Sequence, residues 1–147
     1  MIKYNLDVTS VPTLSNNKAK QVIILCHGYG GDGKDISGLA INWQRFLPDA
    51  IFLCPNAPEV CADNPGGYQW FDMTSENEEM MLEKSLAAAE KLNTFLDQVV
   101  NNFQLKSSNH IFIAEHEIFG RTQKHRYRRK KRSEAFAKLV MHRQARL

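Results

Sequence analysis

The sequence lacks several features that narrow a protein's role quickly. It has three cysteines in 147 residues, an odd number with no CxxC pair, so there is no disulfide framework to read and no CxxC redox or metal motif. No apolar run approaches the roughly 18–20 residues that a membrane-spanning helix needs. The first ten residues, MIKYNLDVTS, carry early charge and no apolar core, so they do not form a secretory signal. No internal repeat is visible. What is present suits one folded domain. Hydrophobic residues make up 43% of the chain and aromatics 10%, enough for a core and too much for disorder throughout. Cys26 and Cys54 end apolar runs, where a small buried thiol fits. Reduced cysteines point to a cytoplasmic setting.

The net charge of +3 hides an asymmetry. Residues 121–147 hold eleven basic residues and one acid, Glu134, a net charge of +10. Residues 1–120 hold eight bases and fifteen acids, a net charge of −7. An acidic body with a basic end reads as two segments, 1–114 and 115–147.

Three continuous apolar runs, Val22–Cys26, Ile51–Cys54 and Ile111–Ala114, suit strands covered on both faces, as in a parallel sheet. Ile2–Val8 alternates and fits an outer strand. Asp35–Leu47 has apolar residues at Ile36, Leu39, Ala40, Trp43 and Leu47, a helical spacing that Pro48 stops. The longest helical candidate is Glu78–Phe103, as one helix or two. Ser75 with Glu78 forms a capping box ahead of it. Its apolar stripe is Met81, Ser85, Leu86, Ala89, Leu92, Leu96, Val99 and Phe103. Alternation of strand and helix predicts an α/β fold with right-handed crossovers. Residues 55–77, with three prolines and the aromatics Tyr68 and Trp70, predict a long ordered loop that lines something.

The strongest local signal is His27-Gly28-Tyr29-Gly30-Gly31-Asp32-Gly33, between a strand and a helix. Its glycines permit a sharp turn and leave backbone N–H groups accessible, able to bind a phosphate or a developing oxyanion. Gly28, Gly30 and Gly33 satisfy GxGxxG. The dinucleotide reading also wants an acid at the end of the next strand. That strand ends Cys54-Pro55-Asn56, and Asp32 would face a pyrophosphate with like charge. His27-Gly28-Tyr29-Gly30 fits an HGxG oxyanion loop without exception. In this reading the Tyr29 N–H is one oxyanion donor and the His27 imidazole braces the loop. A glycine turn without a ligand is the plain alternative.

Three blocks in order make the resemblance specific. They are Leu25–Gly33 with Asp35 soon after, Cys54-Pro55-Asn56-Ala57-Pro58, and Gly67-Tyr68-Gln69-Trp70-Phe71-Asp72. On these blocks Ile24–Ala114 resembles the phospholipase/carboxylesterase family of α/β-hydrolases, which includes acyl-protein thioesterases. The resemblance implies a serine hydrolase of carboxylic esters or acyl thioesters that uses no cofactor and no metal. Trp70 and Phe71 would border the acyl site, or Trp70 would anchor the long loop as a core aromatic.

The same resemblance implies a G-x-S-x-G nucleophile elbow directly after Ile111–Ala114. The sequence reads Ala114-Glu115-His116-Glu117-Ile118-Phe119-Gly120 instead. Glu117 stands at the expected nucleophile position, and neither flanking glycine is present. None of the eight serines (10, 15, 37, 75, 85, 107, 108, 133) lies in G-x-S-x-G. After residue 114 the acids are Glu115, Glu117 and Glu134, and His125 and His142 sit among arginines. His116-Glu117 begins like HExxH, but position 120 is Gly, so the second zinc ligand is missing.

The expectation is therefore an incomplete α/β-hydrolase fold, a mostly parallel sheet with flanking helices, plus an unrelated basic tail. The tail is compatible with a helix in 133–146, and a frameshift or insertion near residue 115 would produce it. No catalytic residue is assigned, and the chain is expected to be inactive alone. Two alternatives remain. In one the basic tail of a binding module contacts nucleic acid or an anionic membrane. In the other, a complementing chain completes a split esterase. Without later strands, Ile111–Ile113 would present an unpaired apolar edge and lower solubility.

Overall fold

In a computed structural model of the protein, the structure describes residues 3–74 and 77–104, and the backbone of 111–115. Four strands, β1 (Val8–Val11), β2 (Gln21–Cys26), β3 (Ala50–Pro55) and β6 (Ile111–Glu115), form a sheet in the order β1-β3-β2-β6. β2 runs parallel to both β3 and β6, and β1 is antiparallel to β3. Among the described residues β6 is the outer strand on its side. A second, two-stranded sheet pairs β4 (Glu59–Val60) with β5 (Tyr68–Gln69). It orders the middle of the stretch that the sequence presented as loop.

The central strands sort their side chains by the period of two. Val22, Ile24 and Cys26 join one core cluster, and Ile23 and Leu25 join the other. Helix α1 (Gly33–Trp43) places Ile36 and Ala40 in the second cluster with Phe52 and Cys54. Helix α2 (Glu78–Phe103) fills the first with Met81, Leu92, Phe95, Leu96 and Val99. The connection from β2 to β3 crosses the sheet in one direction and that from β3 to β6 in the other. Right-handed crossovers then put the two helices on opposite faces. Both faces of β2 are thus covered, which is why its apolar run is continuous. Burial pushes the Cys54 thiol up to about 12, so it stays a neutral, apolar group.

Several expectations shift in detail. The outer strand is Val8–Val11 rather than Ile2–Val8. The preceding alternation is used on α2 instead. Tyr4 meets the Phe95 ring edge-on at 5.2 Å and Leu6 enters the core. Gln98 Oε1 and Lys91 O hold Asn5 through its backbone and side-chain N–H groups. Helix α1 starts at Gly33 because Asp32 caps it, accepting the Asp35 N–H at 2.7 Å. It ends at Trp43, short of Leu47. The stretch 78–103 is one helix, and Asn77 is its cap, accepting the Glu79 and Met80 N–H groups. Glu78 is therefore the first helical residue and not the third residue of a capping box. Ser75 lies outside the described residues. Leu86 is 43% exposed, while Ala88 and Phe95 are buried in its stead. Met81, Ser85, Ala89, Leu92, Leu96 and Val99 of the expected stripe are buried, and the stripe widens to take in Ala88 and Phe95.

Phe95 is fully buried and Phe46 is 82% exposed. Phe95→Ala is expected to cost about 3–5 kcal/mol of unfolding free energy. Phe46→Ala should stay within about 0.5 kcal/mol of the parent. Urea denaturation followed by tryptophan fluorescence measures both.

Candidate functional site

The end of β2 feeds His27 into the interior, where it is 2% exposed. Its Nε2 accepts the Ala57 N–H at 2.9 Å. The ring proton therefore sits on Nδ1, which donates to the Gly28 carbonyl at 2.7 Å. Burial lowers the His27 pKa; the Gly28 contact and the Asp32 charge oppose this more weakly. The imidazole is thus a neutral brace with both nitrogens engaged on backbone, and neither is available to exchange a proton with a substrate. Trp70 stacks on it, with centroids 5.8 Å apart and planes 26° apart. Trp70 Nε1–H also donates to the His27 carbonyl at 3.1 Å.

The following turn is built from Gly28 to Gly31, whose N–H donates to Gly28 O at 3.1 Å. Gly30 occupies its third position with φ of +77°, as a type II turn requires. The small β4–β5 sheet clamps this turn. Gly30 N–H donates to Tyr68 O at 2.9 Å, and Tyr68 N–H donates to Gly31 O at 2.8 Å. Asn64 Nδ2 donates to Gly30 O at 2.8 Å. Gly67 lies so close that a Cβ there would collide with the Gly30 carbonyl. These bonds consume the N–H groups of Gly30 and Gly31. The Tyr29 N–H finds no acceptor among the described residues. Its phenol donates to Asp63 Oδ2 at 3.0 Å. Burial, with Cys61 and Asp63 beside it, pushes that phenol well above its ordinary pKa, so it stays protonated.

The remaining residues of the motif blocks stabilise this arrangement. Asn56 Oδ1 accepts the Gly33 N–H at 2.7 Å, tying the end of β3 to the start of α1. Asp72 accepts from Lys84 at 2.8 Å and from Thr74, which lowers its pKa to about 2. This joins the loop to α2. Trp70 and Phe71 are 2% and 3% exposed. Trp70 lies against His27 at the base of the glycine loop, and Trp70 and Phe71 belong to the same core cluster.

Sheet register sets what lies beside the loop. Cys26 is opposite Glu115 in the parallel pair β2–β6. The chain therefore leaves β6 next to the residues where β2 enters the glycine turn. Glu117, the residue at the expected nucleophile position, lies outside the described residues. The structure brings His27, Gly28, Tyr29, Gly30, Trp70 and Phe71 together in one assembly. It adds Ala57 and Asn64, whose roles the sequence did not reveal. The one signal for Asn64 was its place in an Asn-Pro-Gly-Gly turn. A cavity of about 580 Å³ opens elsewhere, beside β1, lined by Tyr4, Asp7, Ser10, Ile51 and Phe103 among others. None of its walls comes from the glycine loop.

A family model described as phospholipase/carboxylesterase matches residues 10–118. The chain belongs to the phospholipase/carboxylesterase family. The match begins before the glycine loop and passes the end of β6. Among solved structures, esterase PE8 is similar at 32% identity with a TM-score of 0.68, covering 77% of this chain and 53% of that one. A carboxylesterase from Mesorhizobium loti shares the fold at 16% identity and a TM-score of 0.59, covering 79% of this chain and 51% of that one. A Bacillus cereus carboxylesterase does so at 21% identity and a TM-score of 0.57, covering 76% and 48%. The chain thus spans about half the length of these family structures. The partial α/β sheet with its helices is the family's fold. Among the described residues no helix is long and apolar enough to cross a membrane.

The neutral, buried His27 carries a pH signature. Its folded pKa lies below the unfolded value of 6.5. Above that value neither state binds the proton, and the brace contributes its full stability. As pH falls below it, the unfolded chain takes the proton first, so stability declines toward the folded pKa. Unfolding free energy should drop between about pH 7.5 and about pH 5.5, and His27→Gln should flatten that drop. Urea titrations of both proteins at the two pH values check this.

Proposed function

We propose that this chain carries the carbonyl-oxygen half of a carboxylic ester or acyl thioester hydrolase site, and that it does not turn over substrate alone. The observation that supports this reading is the Tyr29 N–H. It has no acceptor among the described residues, on a turn whose Gly30 and Gly31 N–H groups are taken. An acyl carbonyl oxygen placed against it gains its hydrogen bond as negative charge develops. A preorganised donor of this kind is worth about 2.7–4 kcal/mol of transition-state stabilisation. Gly28 and Gly30 shape the turn, and His27 holds it from beneath. Trp70 and Phe71 support the acyl-site border from the core side.

Attack on the carbonyl needs a nucleophile that the sequence does not encode at the elbow position, where Glu117 stands. A site of this kind without its nucleophile and base retains on the order of 10³–10⁴-fold acceleration over water at most. On the same reading, the basic segment 115–147 is separate from the family-like body, although the family match itself runs on to residue 118. The buried thiols Cys26, Cys54 and Cys61, which form no disulfide, favour the cytoplasm.

A second reading has one specific observation behind it. β6 is the outermost strand of the described sheet on the side next to the glycine loop. A complementing chain that brings an elbow and further strands could pair there and complete a split esterase.

The purified protein is expected to show no labelling by a fluorophosphonate probe and no hydrolysis of a short activated ester above buffer. Covalent labelling with turnover would overturn the proposal. Turnover appearing only on mixing with a polypeptide that carries a family elbow and its later strands would establish the split form. Tyr29→Pro, which deletes the donor, should then lower that complemented turnover by about 10²–10³-fold.

A further inference from the structure

Helix α2 has a second stripe beside the one it buries. Leu82 and Leu86, one turn apart, are 52% and 43% exposed. Asn93 continues the same stripe two turns on, and its Oδ1 is buried with no hydrogen-bond partner among the described residues. Large apolar side chains and an orphaned buried carbonyl on one row are what a helix shows when a further layer belongs against it. The row is bordered on its solvent side by the exposed carboxylates Glu79, Glu83 and Glu90, themselves at helical spacing. The whole of α2 carries five acids and two bases.

The chain itself contains a segment with the matching pattern. Residues 133–147 place Phe136, Leu139 and Val140 at i, i+3 and i+4, with Lys138, Arg143 and Arg146 among them and Glu134 as the one acid. Residues 116–132 separate this segment from β6. Extended, they span up to about 55 Å. Helix α2, at 26 residues, is about 39 Å long. Every point along its stripe is therefore within reach.

We infer that residues 133–147 dock on the Leu82–Leu86–Asn93 stripe of α2. Phe136, Leu139 and Val140 cover the exposed leucines, and the basic side chains meet Glu79, Glu83 and Glu90. The tail is then an intramolecular cover for this face of the helix. This inference does not depend on any chemistry at the glycine loop.

Two measurements on the full chain test it. In the unaltered protein, trypsin should cut after Lys138 and Arg143 about tenfold more slowly than after Lys130 and Arg132, because a docked segment must open first. The difference should shrink in about 1 M salt, which screens the charge pairing and leaves the apolar contact. Equal cleavage throughout 121–146 at low salt would overturn the inference. For location, Leu86→Cys with Phe136→Cys should form an intramolecular disulfide under mild oxidation, at least about tenfold faster than Thr94→Cys with Phe136→Cys. Thr94 is exposed on another side of the same helix. Equal rates for the two pairs would overturn the docking site. A covalent dimer in place of the intramolecular product would assign the stripe to a second copy and overturn the tail as its occupant.

Discussion

The arrangement at the end of β2 depends on one buried, uncharged imidazole. His27 accepts the Ala57 N–H through Nε2 and donates through Nδ1 to the Gly28 carbonyl. It thereby ties the segment after β3 to the first residue of the glycine turn. The Ala57 N–H is buried, so it needs a protein partner. The constraint is chemical as well as steric. Only the neutral ring can accept on one nitrogen and donate on the other, and burial keeps it neutral. Trp70 completes the device by stacking on the ring and donating to the His27 carbonyl.

Around that tie the loop is held from two sides. β3 and α1 hold it through Asn56 and the Asp32 cap. The small β4–β5 sheet holds it through Tyr68 and Asn64. The result is a turn with a fixed conformation whose Tyr29 N–H is unused among the described residues. A preorganised donor costs little reorganisation when charge appears beside it, which is the physical basis of an oxyanion site. The parallel register of β2 with β6 brings the exit of β6 to the same place. The end of β2 and the end of β6 thus share one end of the sheet, and no serine of the sequence lies in a G-x-S-x-G pattern.

The rest of the molecule shows how a partial sheet keeps its core. β2 and β3 are covered on both faces because α1 and α2 lie on opposite sides. The N-terminal residues wrap α2 through Tyr4, Asn5 and Leu6 before β1 pairs with β3. The exposed row on α2 is where this coverage is incomplete among the described residues.

Much of this was legible in the residue order. The continuous runs at 22–26 and 51–54 suited strands covered on both sides, and a helical stretch over 78–103 followed from its periodicity, although whether it was one helix or two did not. His27-Gly28-Tyr29-Gly30 placed a sharp glycine turn at a strand end, because glycines there free the backbone to reverse. Sequence alone also showed the missing elbow and the basic end, since both are statements about composition and order. Tertiary structure decided the rest. The Ala57 and Asn64 contacts close loops of about 30 residues, and no local pattern encodes a partner that far away. Tyr4 and Leu6 of the N-terminal alternation were turned against α2 rather than into a strand, and the buried face of α2 left out Leu86 and took in Ala88 and Phe95. Those outcomes depend on which surface each segment meets. Local sequence sets the period of an apolar pattern, but only packing against the other elements chooses the face.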